Sequence, residues 1–256
     1  MDKYNEFSKF NTESYFIAYL DILGYKEKVG KGDAKLAEII DDLLNKAEQI
    51  AKDAEKHTRY YVDKIEIKAF SDNIIVCTKK HWDTLFMMVG LFQNYMIENG
   101  YFIRGALCYS DLYFGDRFLF GKGIIMAHEI ESKLSIYPRI LLHSSYKKAV
   151  IDLENDDIIF DALTAVAGML PMYLYDSDGY MFLNYLHIAY VMQEKMDEIS
   201  LDKMLEVHRT KINYAIRECE ERCYSPNVMQ KFLWCMEYHN RFCAENGYEK
   251  YIISIQ

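Results

Sequence analysis

The strongest constraint on the fold of this chain is the succession of hydrophobic periods between residues 15 and 109. Tyr15-Phe-Ile-Ala-Tyr-Leu20 is an aromatic and β-branched run, which predicts a buried strand. Gly30, Gly32 and Asp33 then punctuate the chain before a helix whose apolar positions, Leu36, Ile39, Ile40, Leu43, Leu44, Ala47 and Ile50, recur at helical spacing. Ile65, Ile67 and Ala69 alternate with Glu66, Lys68 and Phe70, the pattern of a second strand. A three-residue turn, Ser71-Asp-Asn73, leads into a third strand over Ile74 to Thr78. His81 to Asn99 reads as a helix stopped by Gly100, and Phe102 to Tyr109 alternates as a fourth strand. The order β-α-β-β-α-β is that of the split βαβ, or ferredoxin-like, unit, so the expected class is α+β.

The remainder is less regular. A hairpin is expected over Leu112 to Phe120, a helix from Lys122 to Leu134, a strand near Arg139 to Leu142, and a hairpin turning at Asp178-Gly179 within Tyr173 to Tyr185. Two helices close the chain, about Ser200 to Arg222 and Asn227 to Glu245, parted by Ser225-Pro226. We expect residues 1–185 to form the main domain and 186–256 a helical subdomain packed on it. At 256 residues, 51% of them apolar and only three of them proline, the chain can bury roughly three-quarters of its unfolded surface.

Composition narrows the function. The polar start, Met1 to Glu13, lacks a signal-peptide layout, and the apolar runs (Ile74 to Cys77, Leu85 to Leu91, Ile158 to Leu170) are too short or too interrupted to span a bilayer. A cytoplasmic protein without a membrane partner is expected. Six cysteines form no CxxC pair, and the histidines show no zinc spacing, so reduced and mostly buried thiols are expected. A net charge of −9 with no basic block argues against grasping a nucleic acid. It is compatible with a small phosphorylated ligand whose charge is met by divalent metal.

The same topology brings chemistry together. In such a unit the end of the first strand and the turn between the second and third lie at one sheet edge, so Asp21 and Asp72 meet there. Paired carboxylates repel unless a cation or shared proton intervenes, and oxygen-only donors suit Mg²⁺ or Mn²⁺. Gly24, close behind Asp21, would let phosphate oxygens approach the backbone. The plainer reading makes Asp21 a cap and Asp72 an ordinary turn residue; their shared edge favours the metal site.

Tyr19-Leu-Asp-Ile-Leu-Gly-Tyr25 resembles the first metal motif of the class III nucleotidyl cyclases, and Lys68-Ala-Phe-Ser-Asp72 resembles their second. The resemblance implies a class III cyclase-like palm with a C-terminal helical extension. It also implies two Mn²⁺ or Mg²⁺ ions held by Asp21, Asp72 and the Ile22 carbonyl, and Lys68 facing the base. Ile103-Arg-Gly-Ala106, Phe120-Gly121 leading into Ala127-His-Glu-Ile-Glu131, Tyr137-Pro-Arg-Ile140 and Lys231-Phe-Leu-Trp-Cys-Met-Glu-Tyr-His-Asn240 are closer to a bacterial branch, the pyrimidine cyclases of the Pycsar anti-phage systems. That likeness runs from about Ser14 to Asn240. It implies a 3′,5′-cyclic nucleotide made from a nucleoside triphosphate such as UTP or CTP, with release of pyrophosphate. A homodimer, an anti-phage signal and a receptor for the product on another chain are implied with it.

Departures matter too. Where class III cyclases carry an Asn and, four residues on, an Arg that steadies the transition state, this chain has Ile125 and Glu129, and the purine-reading Asp position is Phe118. Gly24 and Tyr25 are then expected at the substrate. Leaving-group charge would fall to Arg104, Lys122, Arg139 or a partner subunit. For Arg104 and Arg139 an ion pair with Glu131 or Asp116 competes with a phosphate; Lys122 begins a helix between two glycines. Glu131 faces the site edge or a salt bridge. His128, His239, Trp234, Tyr238 and Phe86-Met-Met88 read as packed structure. Two rivals stand beside the cyclase: a catalytically inactive nucleotide-binding or dimerisation module, and a palm enzyme making cyclic dinucleotides. The absence of Gly-Gly-Asp at the Phe70-Ser-Asp-Asn turn weighs against the second.

Overall fold

Ten consecutive residues, Glu13–Ile22, form the central strand β1, longer at both ends than its apolar run. In the computed structural model, which describes residues 11–57, 64–155, 172–193 and 200–254, this strand pairs antiparallel with β3 (Asn73–Thr78) and β4 (Ile103–Phe114). The sheet order is β2-β3-β1-β4-β6-β8-β7, with β2 at Glu66–Phe70, β6 at Ile140–Leu142, β7 at Tyr173–Tyr175 and β8 at Met181–Leu183. Only β4 and β6 run parallel among these pairs, and a short β5 (Leu119–Phe120) folds back on β4. The protein is therefore a mixed α+β fold.

Alternation along β1 sorts two cores. Phe16, Ala18, Leu20 and Ile22 face a cluster with α2 (Ala34–His57), α3 (Trp82–Glu98) and α5 (Ser144–Glu154). Tyr15, Ile17 and Tyr19 face a second cluster with α4 (Lys122–Lys133), α7 (Leu201–Glu221) and α8 (Pro226–Glu245). The period of two in a strand thus commits odd-numbered residues, Asp21 included, to the α4/α8 side. Helix α6 (Tyr185–Gln193) lies between the cores, giving Tyr185, Leu186 and Ala189 to one and Ile188 to the other. Helix α3 is apolar nearly all round because sheet and helices enclose it.

Several expectations change in detail. The β2–β3 turn contains two residues, Ser71 and Asp72, rather than three, with Ser71 at φ 56°, the left-handed conformation such tight hairpins need. The first arm of the hairpin expected over 112–120 is the continuation of β4, because pairing with β1 persists as far as Glu13 opposite Leu112. Helices α1 (Tyr25–Gly30), α5 and α6 were not anticipated: α1 buries no residue, and α6 is too uniformly apolar to show a period. Five cysteines are buried, Cys223 is exposed, and all six are free thiols. Among the described residues no helix is long and apolar enough to cross a membrane. The apolar run 158–170 and the first ten residues lie outside the described residues.

Candidate active site: a carboxylate cluster at the end of β1

The last turns of the β1 ladder bring Asp21 and Asp72 side by side. Asp21 stands opposite Asn73 on β3 and opposite Arg104 on β4, and the Ile22 N–H donates to the Asp72 carbonyl at 2.9 Å. The Arg104 guanidinium takes Asp21 Oδ2 through Nε at 2.9 Å and the Ser135 carbonyl through Nη1 at 3.3 Å. Its Nη2 lies 2.6 Å from Glu131 Oε1 of α4, an ion pair in which no N–H points squarely at that oxygen. Asp72 Oδ1 accepts from Asn73 Nδ2 at 2.9 Å. Among the described residues, Asp21 Oδ1 and Asp72 Oδ2 accept no hydrogen bond.

Burial and charge show in the titration of the neighbours. Burial raises the Glu131 carboxyl above its ordinary range; Arg104 opposes that shift, while Asp21 and Asp72 add to it. The Tyr19 phenol is pushed up to about 12, first by burial and then by the charges of Glu131, Asp21 and Asp72. Lys231 of α8 is half-buried on the same side: burial and then Arg104 lower its ammonium pKa, and Asp21 and Glu131 pull it back. Asp21 and Glu131 thus share the cations Arg104 and Lys231, while Asp72 adds negative charge to the same stretch of sheet.

Among the described residues no three His, Cys, Asp or Glu side chains already form a cation cage. A divalent ion here would take its donors from Asp21 Oδ1 and Asp72 Oδ2 and fill its other positions with water or phosphate oxygens, as Mg²⁺ commonly does. Hard oxygen donors and the surplus of negative charge fit such an ion. Ile22 is the last β1 residue paired with β4, opposite Ile103, so its backbone lies beside both aspartates. Gly24 has φ 74°, which accounts for glycine, and nothing lies within 4 Å of where a Cβ would stand.

Other expected residues fall elsewhere. The Tyr25 ring packs against the core on the α2 side, across the sheet from the Asp21 side chain. Lys68 shares the Asp21 face but donates to the Gly115 and Asp116 carbonyls at 2.6 and 3.1 Å, tethering the turn between β4 and β5. Arg139 is 0% exposed, ion-paired with Asp176 and Asp178 and set against Tyr137, Phe182 and Trp234. The expectation that it clamps a phosphate is corrected: its charge is already answered in the core. Lys122 is exposed at the start of α4, and the flanking Gly121 exists because a Cβ would sit 2.6 Å from the Asp111 carbonyl. Glu129 is exposed and pairs with Lys133 at 2.6 Å, while Phe118 and Ile125 are 43% and 62% exposed. His239 is buried, as expected, but His128 is exposed and meets the Tyr19 ring edge-on.

Two cluster members were not singled out from the sequence. Tyr19 shares the parity of Asp21 along β1, a signal that was there to read. Lys231 opens the 231–240 motif, but nothing in its spacing ties α8 to the end of β1.

The fold and site together define an α+β protein with a carboxylate cluster at one end of its central strand. No family model matches the chain, and no curated protein matches it. Among solved structures it is similar to a bacterial light-regulated adenylyl cyclase, at 14% identity and a TM-score of 0.35. The match covers 56% of this chain and 46% of that one, so the chain spans less than half of that protein's length. A likeness this low implies nothing about chemistry.

Proposed function

We propose that the chain is a metal-dependent nucleotide cyclase on a ferredoxin-like palm, converting a nucleoside triphosphate to a 3′,5′-cyclic nucleotide and pyrophosphate. The observation that carries this reading is the placement of Asp21 beside Asp72, fixed by the hydrogen bond from the Ile22 N–H to the Asp72 carbonyl. The two motif resemblances support it, and the bacterial branch points to UTP or CTP as substrate. A divalent cation bound by the two aspartates would supply positive charge at the reacting phosphate and acidify the attacking hydroxyl. In the reaction the ribose 3′-oxygen bonds to the α-phosphorus, its proton passes to solvent, and pyrophosphate leaves with the electrons of the broken P–O bond. Arg104 holds Asp21 in place while balancing Glu131. Alignment and charge neutralisation then account for most of the rate.

A homodimer and a separate receptor for the product complete the proposal. Exposed Phe118, Phe120 and Ile125, on the β4–β5 hairpin and α4, offer an apolar face for a second copy. The rival reading, an inactive binding or dimerisation module, is favoured by Glu129, which points to solvent and pairs with Lys133 instead of offering a cation.

Incubation with each ribonucleoside triphosphate and Mn²⁺, followed by mass spectrometry, separates the readings. A cyclic mononucleotide is expected, and it should vanish in folded Asp21→Ala and Asp72→Ala proteins. Binding without product selects the inactive module, and a linked dinucleotide selects the other palm chemistry. Unchanged activity in both variants removes the aspartates from the reaction.

A further inference from the structure

A cleft of about 580 Å³ opens beside Gly24, between α1 and the C-terminal helices α7 and α8. Its two carboxylates already have partners: Glu27 pairs with Lys31 and accepts from the Tyr224 hydroxyl at 2.8 Å, and Glu218 pairs with Arg222 at 3.1 Å. Lys28, Lys211 and Lys231 line the same cleft and form no ion pair among the described residues. The Lys28 ammonium lies 4.6 Å over the Tyr101 ring, a contact that orients it without neutralising it. Lys28, Lys31, Lys211 and Lys231 outnumber Glu27 and Glu218 around the cleft, a local excess of positive charge that attracts an anion in a protein of net charge −9. Lys231 joins the cleft to the carboxylate cluster, since it lines the cleft together with Leu23 and Gly24, which directly follow Asp21 and Ile22 along the chain.

We propose that Lys231, with Lys28 and Lys211, forms an anion subsite that takes the polyphosphate end of the ligand at the Asp21 site. The subsite rests on the nucleoside triphosphate reading. It supplies from α1, α7 and α8 the positive charge that Glu129 does not provide and that Arg139, neutralised in the core, cannot. The nucleoside would then extend along the sheet towards Lys68 and the β4–β5 turn.

Titration calorimetry with inorganic tripolyphosphate, and in parallel with UTP and CTP in the presence of Mn²⁺, tests this on the full chain. Tripolyphosphate binding should weaken at least tenfold in Lys231→Gln and recover in part in Lys231→Arg. Lys211→Gln, on the cleft wall, should weaken it by a smaller factor, and all variants should keep the wild-type circular dichroism spectrum. If the wild type binds tripolyphosphate and both glutamine variants stay within twofold, the subsite is wrong while the aspartate reading keeps its own product assay. Tripolyphosphate binding that depends on Lys231, in a protein yielding no cyclic product from any triphosphate, upholds the subsite and removes the cyclase. A wild-type chain that binds no tripolyphosphate overturns the subsite outright.

Discussion

At the residue scale, Arg104 is the joint of the site. It touches Asp21 on its own sheet and Glu131 on the helix above, and Glu131 is only 4% exposed. Removing the guanidinium takes from a buried carboxylate the cation that contacts it, a change that costs about 3–5 kcal/mol in comparable pairs. Arg104→Leu is therefore expected to lose about 3 kcal/mol or more in urea unfolding, a loss that Glu131→Gln in the same chain should partly restore. An Arg104→Leu protein as stable as wild type would mean that the pair contributes little. The neighbouring Gly105 has a different task. A Cβ there would come within 2.2 Å of the Tyr19 carbonyl, so Gly105→Ala should push β4 off β1 and destabilise the fold by more than about 3 kcal/mol. Thermal melts of that variant give the answer, and a melting temperature equal to wild type would contradict the close approach.

At the element scale, helices α7 and α8 are joined by a buried polar chain. The Tyr251 carbonyl can only accept, so His239 Nε2, at 3.0 Å, carries the proton. His239 Nδ1 must then accept from His208 Nδ1 at 2.8 Å, and His208 Nε2 accepts from the Tyr185 hydroxyl at 3.0 Å. Both rings are held neutral: burial lowers His239 from 6.5 to about 4, and burial, then the neighbouring His239, holds His208 well below its ordinary value. A depressed histidine pKa means that the unfolded chain takes up the proton first, so stability is complete above pH 6.5 and is lost as pH falls towards 4. Unfolding free energies from urea titrations should drop between pH 7 and pH 4.5 by about 1–3 kcal/mol, each pKa unit being worth about 1.4 kcal/mol. The slope should flatten when His208→Phe is combined with His239→Leu; an unchanged slope would place the acid sensitivity elsewhere. None of this network was legible in the sequence, because it depends on where two helices cross. The first four strands and the two long helices between them were legible, because their hydrophobic periods are long and unmixed. Short elements were not. Six residues in α1 cannot show a period, and α5 carries Tyr146, Ala149 and Val150 at helical spacing within a segment too brief to stand out.

On the scale of the whole molecule, one sheet separates two cores and its polar end collects the charge. The sequence reading sets Asp21 and Asp72 at one sheet edge, and the backbones of Ile22 and Asp72 do meet there through a hydrogen bond of 2.9 Å. The residues around them depend on docking, and the sequence was mute there. Arg139 could be seen as a cation, but not that Asp176 and Asp178 would enclose it; Lys231 could be seen on a helix, but not that the helix would lie over the end of β1. The proposed chemistry requires a cation shared by the two aspartates. Anomalous diffraction from a crystal grown with Mn²⁺ and a non-hydrolysable nucleoside triphosphate tests this most directly. The expected result is a manganese peak within about 2.0–2.2 Å of oxygens from both Asp21 and Asp72 and beside a phosphate oxygen. No peak there, or one held by a single aspartate with the other turned away, would contradict the account.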